Sequence, residues 1–266
     1  MGRAPTAVSG DPSLAPGSSE RPSPPTGRQT ASASSRETSK ARQRNLVRTR
    51  RLFAFDRGLG SRFVAGADEA GRGSLAGPLV AAAVLIDYGA LSRSDRLALG
   101  GLHDSKQMKP ERREELFPAV LRAAARVSVV MRCARGIDDR GLHVTNLEAL
   151  AIALERLAPG DDVACLVDGF TLRFCAVPHR AVIEGDGTSA AIAAASVIAK
   201  VTRDRYMHRA AQDHPGWGFE DHVGYSTPEH RAAIEQLGIS PLHRRSFESV
   251  AYSQLELSEP SPGPPR

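Results

Sequence analysis

Arg62–Ile86 reads RFVAGADEAGRGSLAGPLVAAAVLI. Its two ends, Arg62–Asp68 (RFVAGAD) and Pro78–Ile86 (PLVAAAVLI), are short, apolar and bounded by turn residues. That pattern predicts two strands joined by a glycine-rich connection from Gly71 to Gly77. An acid pair, Asp68-Glu69, stands where the first strand gives out. Neighbouring residues of a strand face opposite ways, so these carboxylates share a site only if the strand ends between them; Ala70-Gly71 supplies such a bend.

Outward from this stretch, Val127–Ala134 (VSVVMRCA) predicts a third strand, Val163–Phe170 (VACLVDGF) a buried fourth and Arg180–Glu184 a short fifth. Pro110–Ala125 has helical spacing in Leu116, Val120, Leu121 and Ala124. Asn146 can cap a second helix with Leu147, Leu150, Leu154 and Leu157 along one face. Thr188–Ala211 is a long Ala-rich helix, and Thr227-Pro228 opens another that Gly238 closes. Three early strands followed by alternating helices and strands predict an α/β domain, a mixed five-stranded sheet flanked by helices.

Composition narrows the class. The chain has 266 residues, 41% hydrophobic and 24% charged, which suits a soluble globular protein with a real core. Its longest unbroken apolar run, Leu79–Ile86, is far short of the roughly 20 residues that span a bilayer. No apolar signal-peptide core follows the first residues, so a cytoplasmic location without membrane attachment is expected. Cys133, Cys165 and Cys175 have neither paired spacing nor an even count and are expected to be reduced, mostly buried thiols.

Charge is uneven along the chain. Residues 1–50 hold nine of the 35 basic and three of the 30 acidic side chains, a net +6, so the remainder carries −1 of the formal +5. The same fifty residues contain six Pro, four Gly and nine Ser and few large apolar groups. Such a segment buries too little surface to offset chain entropy. Residues 1–50 are therefore expected to be a disordered basic tail, 51–253 the folded domain and 254–266 a second, Pro-rich tail. The basic run Lys40–Arg51 can touch phosphates or simply be solvated.

The chemistry gathers at strand and helix ends. Asp68-Glu69 and Asp168 follow strands, and Asp186 precedes the long helix. Singly, each reads as a turn former or a cap. Together, four carboxylates would repel one another unless hard cations such as Mg²⁺ or Mn²⁺ lie between them. Two such ions about 4 Å apart are a common device for attack on a phosphodiester. Gly71-Arg72-Gly73 is a weak match to a dinucleotide-binding loop, because the spacing to Gly77 is wrong and a strand follows. A phosphate or sugar contact and a plain tight turn remain open for it. Lys106, Lys200 and Arg203-Asp204 add cations nearby, and Tyr225, beside Gly224, can stack on a sugar or base or sit at the core's rim. The histidines lack zinc-ligand spacing.

With these residues in place the sequence resembles ribonuclease HII. Val64–Gly73 (VAGADEAGRG) with Leu75-Ala76-Gly77-Pro78 resembles that family's opening motif. Asp104-Ser105-Lys106, Asp168-Gly169, Ala193–Asp204 (AAASVIAKVTRD), Gly224–Thr227 (GYST) and His243–Phe247 (HRRSF) follow in the family's order, over roughly residues 62–249. The resemblance implies a ribonuclease H-like fold and cleavage of RNA in RNA–DNA hybrids by a protein that is expected to be monomeric. It also implies incision 5′ of ribonucleotides embedded in duplex DNA, leaving 3′-hydroxyl and 5′-phosphate ends.

Carried over by motif, Asp68, Glu69, Asp168 and Asp186 are the catalytic and metal-binding carboxylates, for two Mn²⁺ or Mg²⁺ ions. Gly71, Arg72 and Gly73 read the 2′-hydroxyl, Tyr225 stacks on the following deoxyribose, Lys106 holds a phosphate, and Lys200 belongs to the nucleic-acid face. Arg72 favours this family over ribonuclease HIII, where lysine is typical. Thr188 stands where many members carry lysine and Ser74 where proline is common, which puts one phosphate contact in doubt. A noncatalytic hybrid-binding protein and a nucleotide-phosphate hydrolase are the readings set against the endonuclease.

Overall fold

The glycine-rich connection does join two strands. In the computed structural model, which describes residues 30–103, 105–157, 160 and 162–247, β1 (Phe63–Ala70) and β2 (Leu79–Asp87) pair antiparallel with Ala67 opposite Ala83. β3 (Arg126–Arg132) adds antiparallel to β2, while β4 (Val163–Asp168) lies parallel to β1 and β5 (Arg180–Val182) parallel to β4. The order is β3-β2-β1-β4-β5, a mixed five-stranded sheet. β2 is buried from Leu79 to Ile86, as a central strand covered on both faces must be.

Helices cover both faces. α1 (Thr30–Gly58), α3 (Pro110–Ala123) and α6 (Ala190–Asp213) share one core with Val64, Ala70, Val80 and Val84. α5 (Leu142–Glu155) shares the other with Ala65, Ala67, Ala81 and Ala83. α2 (Arg93–Ala98), α4 (Ala134–Arg140), α7 (Phe219–His222) and α8 (Pro228–Leu237) are shorter. The alanines of α6 let it lie directly on β1: a Cβ on Gly66 would sit 2.2 Å from Ala191 C and 2.3 Å from Ile192 N. Thr227 caps α8 and Gly238 ends it, at the expected residues.

Several expectations need correction. α1 runs across the expected boundary at residue 51, with Thr49, Leu52, Phe53 and Asp56 buried. Their i, i+3, i+4, i+7 spacing is a helix face. Residues from Ala41 onward belong to one unit, and the first turns of α1, up to Lys40, to a separate one. The expectations for residues 1–29 and for the Pro-rich stretch 254–266 lie outside the described residues. Asn146 is not a cap: α5 starts at Leu142 after Gly141 (φ 80), and Asn146 is buried inside it. Of the three free cysteines only Cys165 is buried.

Candidate active site

Strand register brings two of the four acids level, and a turn carries a third towards them. Ala67 on β1 lies beside Val167 on β4, so the next residues, Asp68 and Asp168, come level at the ends of adjacent parallel strands. Open α/β sheets place sites at such strand ends. After β5, left-handed Glu184 (φ 50) turns the chain into the short 3₁₀ turn Gly185–Gly187 that carries Asp186. The Gly185 N–H donates to Asp168 Oδ1 at 2.6 Å. A side chain at Gly185 would meet Ile192 Cδ1 at 2.6 Å and Asp168 Oδ1 at 3.1 Å, so glycine is what lets this turn close on Asp168.

The strand does not end between Asp68 and Glu69; it stays paired to β2 through Ala70. The two carboxylates therefore leave opposite faces, Asp68 on the α6 side with Val64 and Ala70. β4, however, ends level with Asp68, so Glu69 has no strand beside it there and lines the cleft. Asp68 is 1% exposed and its Oδ1 accepts the Glu69 N–H at 2.7 Å. Burial, then the charges of Glu69 and Asp168 and finally that of Asp186, push its carboxyl well above the usual range. Asp68 Oδ2 is buried with no donor in full hydrogen-bonding geometry, and the Ser196 hydroxyl offsets the rise only in part. This all-oxygen set fits a hard divalent cation, which would relieve the repulsion. Among the described residues no three acidic, His or Cys side chains already close on one point, so the acids would draw in around an ion.

Across the cleft, Gly71 (φ 85), Arg72 and Gly73 share a cavity wall with Glu69, Ser105, Arg113, Lys200 and Tyr225. Two fully buried arginines carry the glycine-rich connection from below. Arg203 donates to the carbonyls of Ala76 and Pro78, both at 3.0 Å, and fills the space that a Cβ on Gly71 would need. Arg244 donates to Gly71 O (2.6 Å), Arg72 O (2.9 Å) and Gly77 O (3.0 Å). The Arg72 guanidinium lies over the Phe170 ring at 4.7 Å.

Lys200 is no solitary cation. Its Nζ is 2.7 Å from Asp204 Oδ1, and Arg113 holds the other oxygen of Asp204 at 3.4 Å. Arg113 also donates to Ser105 O (2.9 Å) and Met108 O (2.6 Å), fixing the turn that carries Lys106. The Lys106 side chain lies outside the described residues. Tyr225 has Lys200 Nζ 5.0 Å and the Arg203 guanidinium 5.2 Å from its ring centre. Thr188 bonds its own turn, its Oγ1 donating to Glu184 O at 3.1 Å, and Ser74 is buried.

The sequence profile described as Ribonuclease HII matches residues 65–250. The chain belongs to the ribonuclease HII family. It is 44% identical over 218 residues to a ribonuclease HII of Geobacillus kaustophilus (strain HTA426), covering 80% of each chain. Against a ribonuclease HII of Rhodococcus erythropolis (strain PR4 / NBRC 100887) it is 47% identical over 198 residues, 74% of this chain and 84% of the relative. Among solved structures, the ribonuclease H2 from Pyrococcus horikoshii OT3 superposes with a TM-score of 0.60 at 30% identity, over 73% of this chain and 97% of that one. The fold is thus ribonuclease H-like, and the family makes the chain a metal-dependent endoribonuclease that acts on RNA–DNA hybrids. No helix among the described residues is long and apolar enough to cross a membrane.

For a ribonuclease HII, the parts not foreseen from sequence are supports. Arg203 and Arg244 sit in the expected motifs but point inward, as buried donors to backbone carbonyls. Asp204, itself held by Arg113, fixes Lys200 in place. A lone basic residue on a helix gives no sign of this, because the carbonyls it meets are more than a hundred positions away.

Proposed function

We propose that this chain incises duplex DNA on the 5′ side of embedded ribonucleotides, as well as cutting RNA in longer hybrids, and leaves 3′-hydroxyl and 5′-phosphate ends. The observation that carries the reading is the level placement of Asp68 and Asp168 on parallel strands, with Asp186 tied in through Gly185. Asp68, Glu69, Asp168 and Asp186 would hold two Mg²⁺ or Mn²⁺ ions. When bound, such ions ready a water for in-line attack and offset charge on the departing 3′ oxygen.

The protein's own groups do the rest. The Gly185 N–H fixes one oxygen of Asp168 and leaves the other for an ion. Gly71, Arg72 and Gly73 contact the 2′-hydroxyl, which DNA lacks, and supply the discrimination between the two sugars. Tyr225 stacks on the deoxyribose that follows, with Lys200 beneath it and Lys106 on a backbone phosphate. The chain acts as a cytoplasmic monomer on RNA–DNA hybrid and on ribonucleotide-containing duplex.

The test is a labelled duplex with one ribonucleotide, incubated with Mg²⁺ or Mn²⁺. A single cut 5′ of that ribonucleotide is expected. Binding without metal-stimulated cutting would leave a hybrid-binding protein instead, and release of phosphate from free nucleotides with duplex intact would indicate a nucleotide hydrolase.

A further inference from the structure

Tyr225 is presented by a turn that is difficult to hold. Val223 (φ 44) and Gly224 (φ 83) are both left-handed, and a β-branched residue there is strained. The turn also presses on the glycine-rich connection: Gly224 O accepts the Ala76 N–H at 3.2 Å, and a Cβ on Gly224 would lie 2.3 Å from Ala76 O. Strain of this kind persists only where the surroundings over-determine it.

Three buried histidines surround the turn, and their backbone partners fix their tautomers. His222 Nδ1 accepts the Gly224 N–H at 3.1 Å, so its Nε2–H donates to Trp217 O at 2.7 Å. His230 must donate from Nδ1 to the Tyr225 carbonyl at 2.8 Å, which leaves its Nε2 as an acceptor. His243 Nδ1 accepts the Ser240 N–H at 2.8 Å, so its Nε2–H points at His230 Nε2, 3.1 Å away. Burial above all pushes both His230 and His243 down to about 4, in keeping with two neutral rings. The rings of His222 and His230 stack at 4.2 Å, and His243 forms a bridge with Ala76.

We propose that His230 and His243 are positioning residues for ribonucleotide recognition: the imidazole pair braces the Val223–Tyr225 turn against Ala76 and holds Tyr225 at a fixed distance from the Gly71–Gly73 loop. Neither ring enters the cleft. The role rests on the reading of Tyr225 and the glycine loop given above. A strand made wholly of RNA offers no deoxyribose after the cut, so the brace acts on the preference for single ribonucleotides over long hybrid.

The readout is the ratio of kcat/KM on a one-ribonucleotide duplex to kcat/KM on a long hybrid, with the full chain and Mg²⁺. His230→Gln keeps a polar end facing His243 but has no donor where Nδ1 was; it is expected to lower the ratio roughly fivefold to tenfold. His230→Asn restores a donor at that place and keeps the ratio near wild type. Adding Val223→Gly to His230→Gln relieves the turn and recovers the ratio; this pair carries the measurement should the single variant not fold. Tyr225→Ala is the control. If it leaves the ratio unchanged, the reading of Tyr225 is what fails. If it lowers the ratio while His230→Gln does not, or if neither Asn nor Val223→Gly recovers it, the brace is overturned.

Discussion

Asp68 shows what the site costs the fold. A carboxylate 1% exposed, facing Asp168 and Asp186, is held in the folded state against its own charge. Asp68→Asn keeps the shape and removes that charge. It should abolish cleavage yet stabilise the metal-free protein by about 1 kcal/mol, a rise of roughly 2–4 °C in the unfolding midpoint. Added Mn²⁺ should raise the wild-type midpoint, since a ligand of the native state stabilises it, and leave the variant's nearly unchanged. Thermal unfolding with and without metal measures both effects. A less stable Asp68→Asn protein, or turnover like wild type, would remove this acid from the metal site. Asp204 is the contrast, because Arg113 and Lys200 neutralise it.

At the scale of elements, the tightest joint is between β1 and α6. Gly66 lies where the helix backbone comes closest, so Gly66→Ala forces β1 and α6 apart. The expected cost is about 1–3 kcal/mol or more, read as a lower midpoint in urea. An unchanged midpoint would mean that α6 does not rest on β1 there. This joint also separates what was legible in the sequence from what was not. β2, α6 and α8 were legible because apolar runs, alanines and caps are local signals. The four acids were legible as residues at strand and helix ends. The expectation that Asp68 and Glu69 share a site rested on a strand end that does not exist; what opens Glu69 to the cleft is that β4 stops before it reaches Glu69, a fact of pairing. α1 was illegible because arginines crowd its exposed side. Its buried face includes Asp56, which looks polar until Tyr88 Oη (2.7 Å) and the Ala191 N–H (2.9 Å) are seen to meet it.

For the whole molecule, α1 changes what the basic N-terminus can be. Residues 1–40 hold five basic and three acidic side chains, so removing them takes +2 from the formal +5 and leaves +3. The five arginines of residues 41–51 stay, and of these Arg48, Arg50 and Arg51 are exposed on α1. Thr49 lies among them but points inward, its Oγ1 accepting the Gly101 N–H at 2.8 Å and its one proton shared between Asn45 O (2.9 Å) and Leu102 O (3.1 Å). Cutting at residue 40 should therefore leave the unfolding midpoint, the cut position and most of the salt dependence of duplex binding as they are. Cutting at residue 50 removes Thr49 and leaves two buried backbone groups unpaired, at a cost of about 2 kcal/mol or more and a midpoint roughly 4–8 °C lower. Arg48, Arg50 and Arg51 put three exposed positive charges on α1, each able to neutralise a phosphate. Replacing Arg48, Arg50 and Arg51 by alanine in the full chain should flatten the fall of log affinity with log salt by about 0.9 for each phosphate that is no longer neutralised, with the cut unmoved. Binding titrations across a range of salt concentrations measure this directly. If removing residues 1–40 flattens the slope as much as the triple substitution, the phosphate contacts belong to the first forty residues and α1 is only a support.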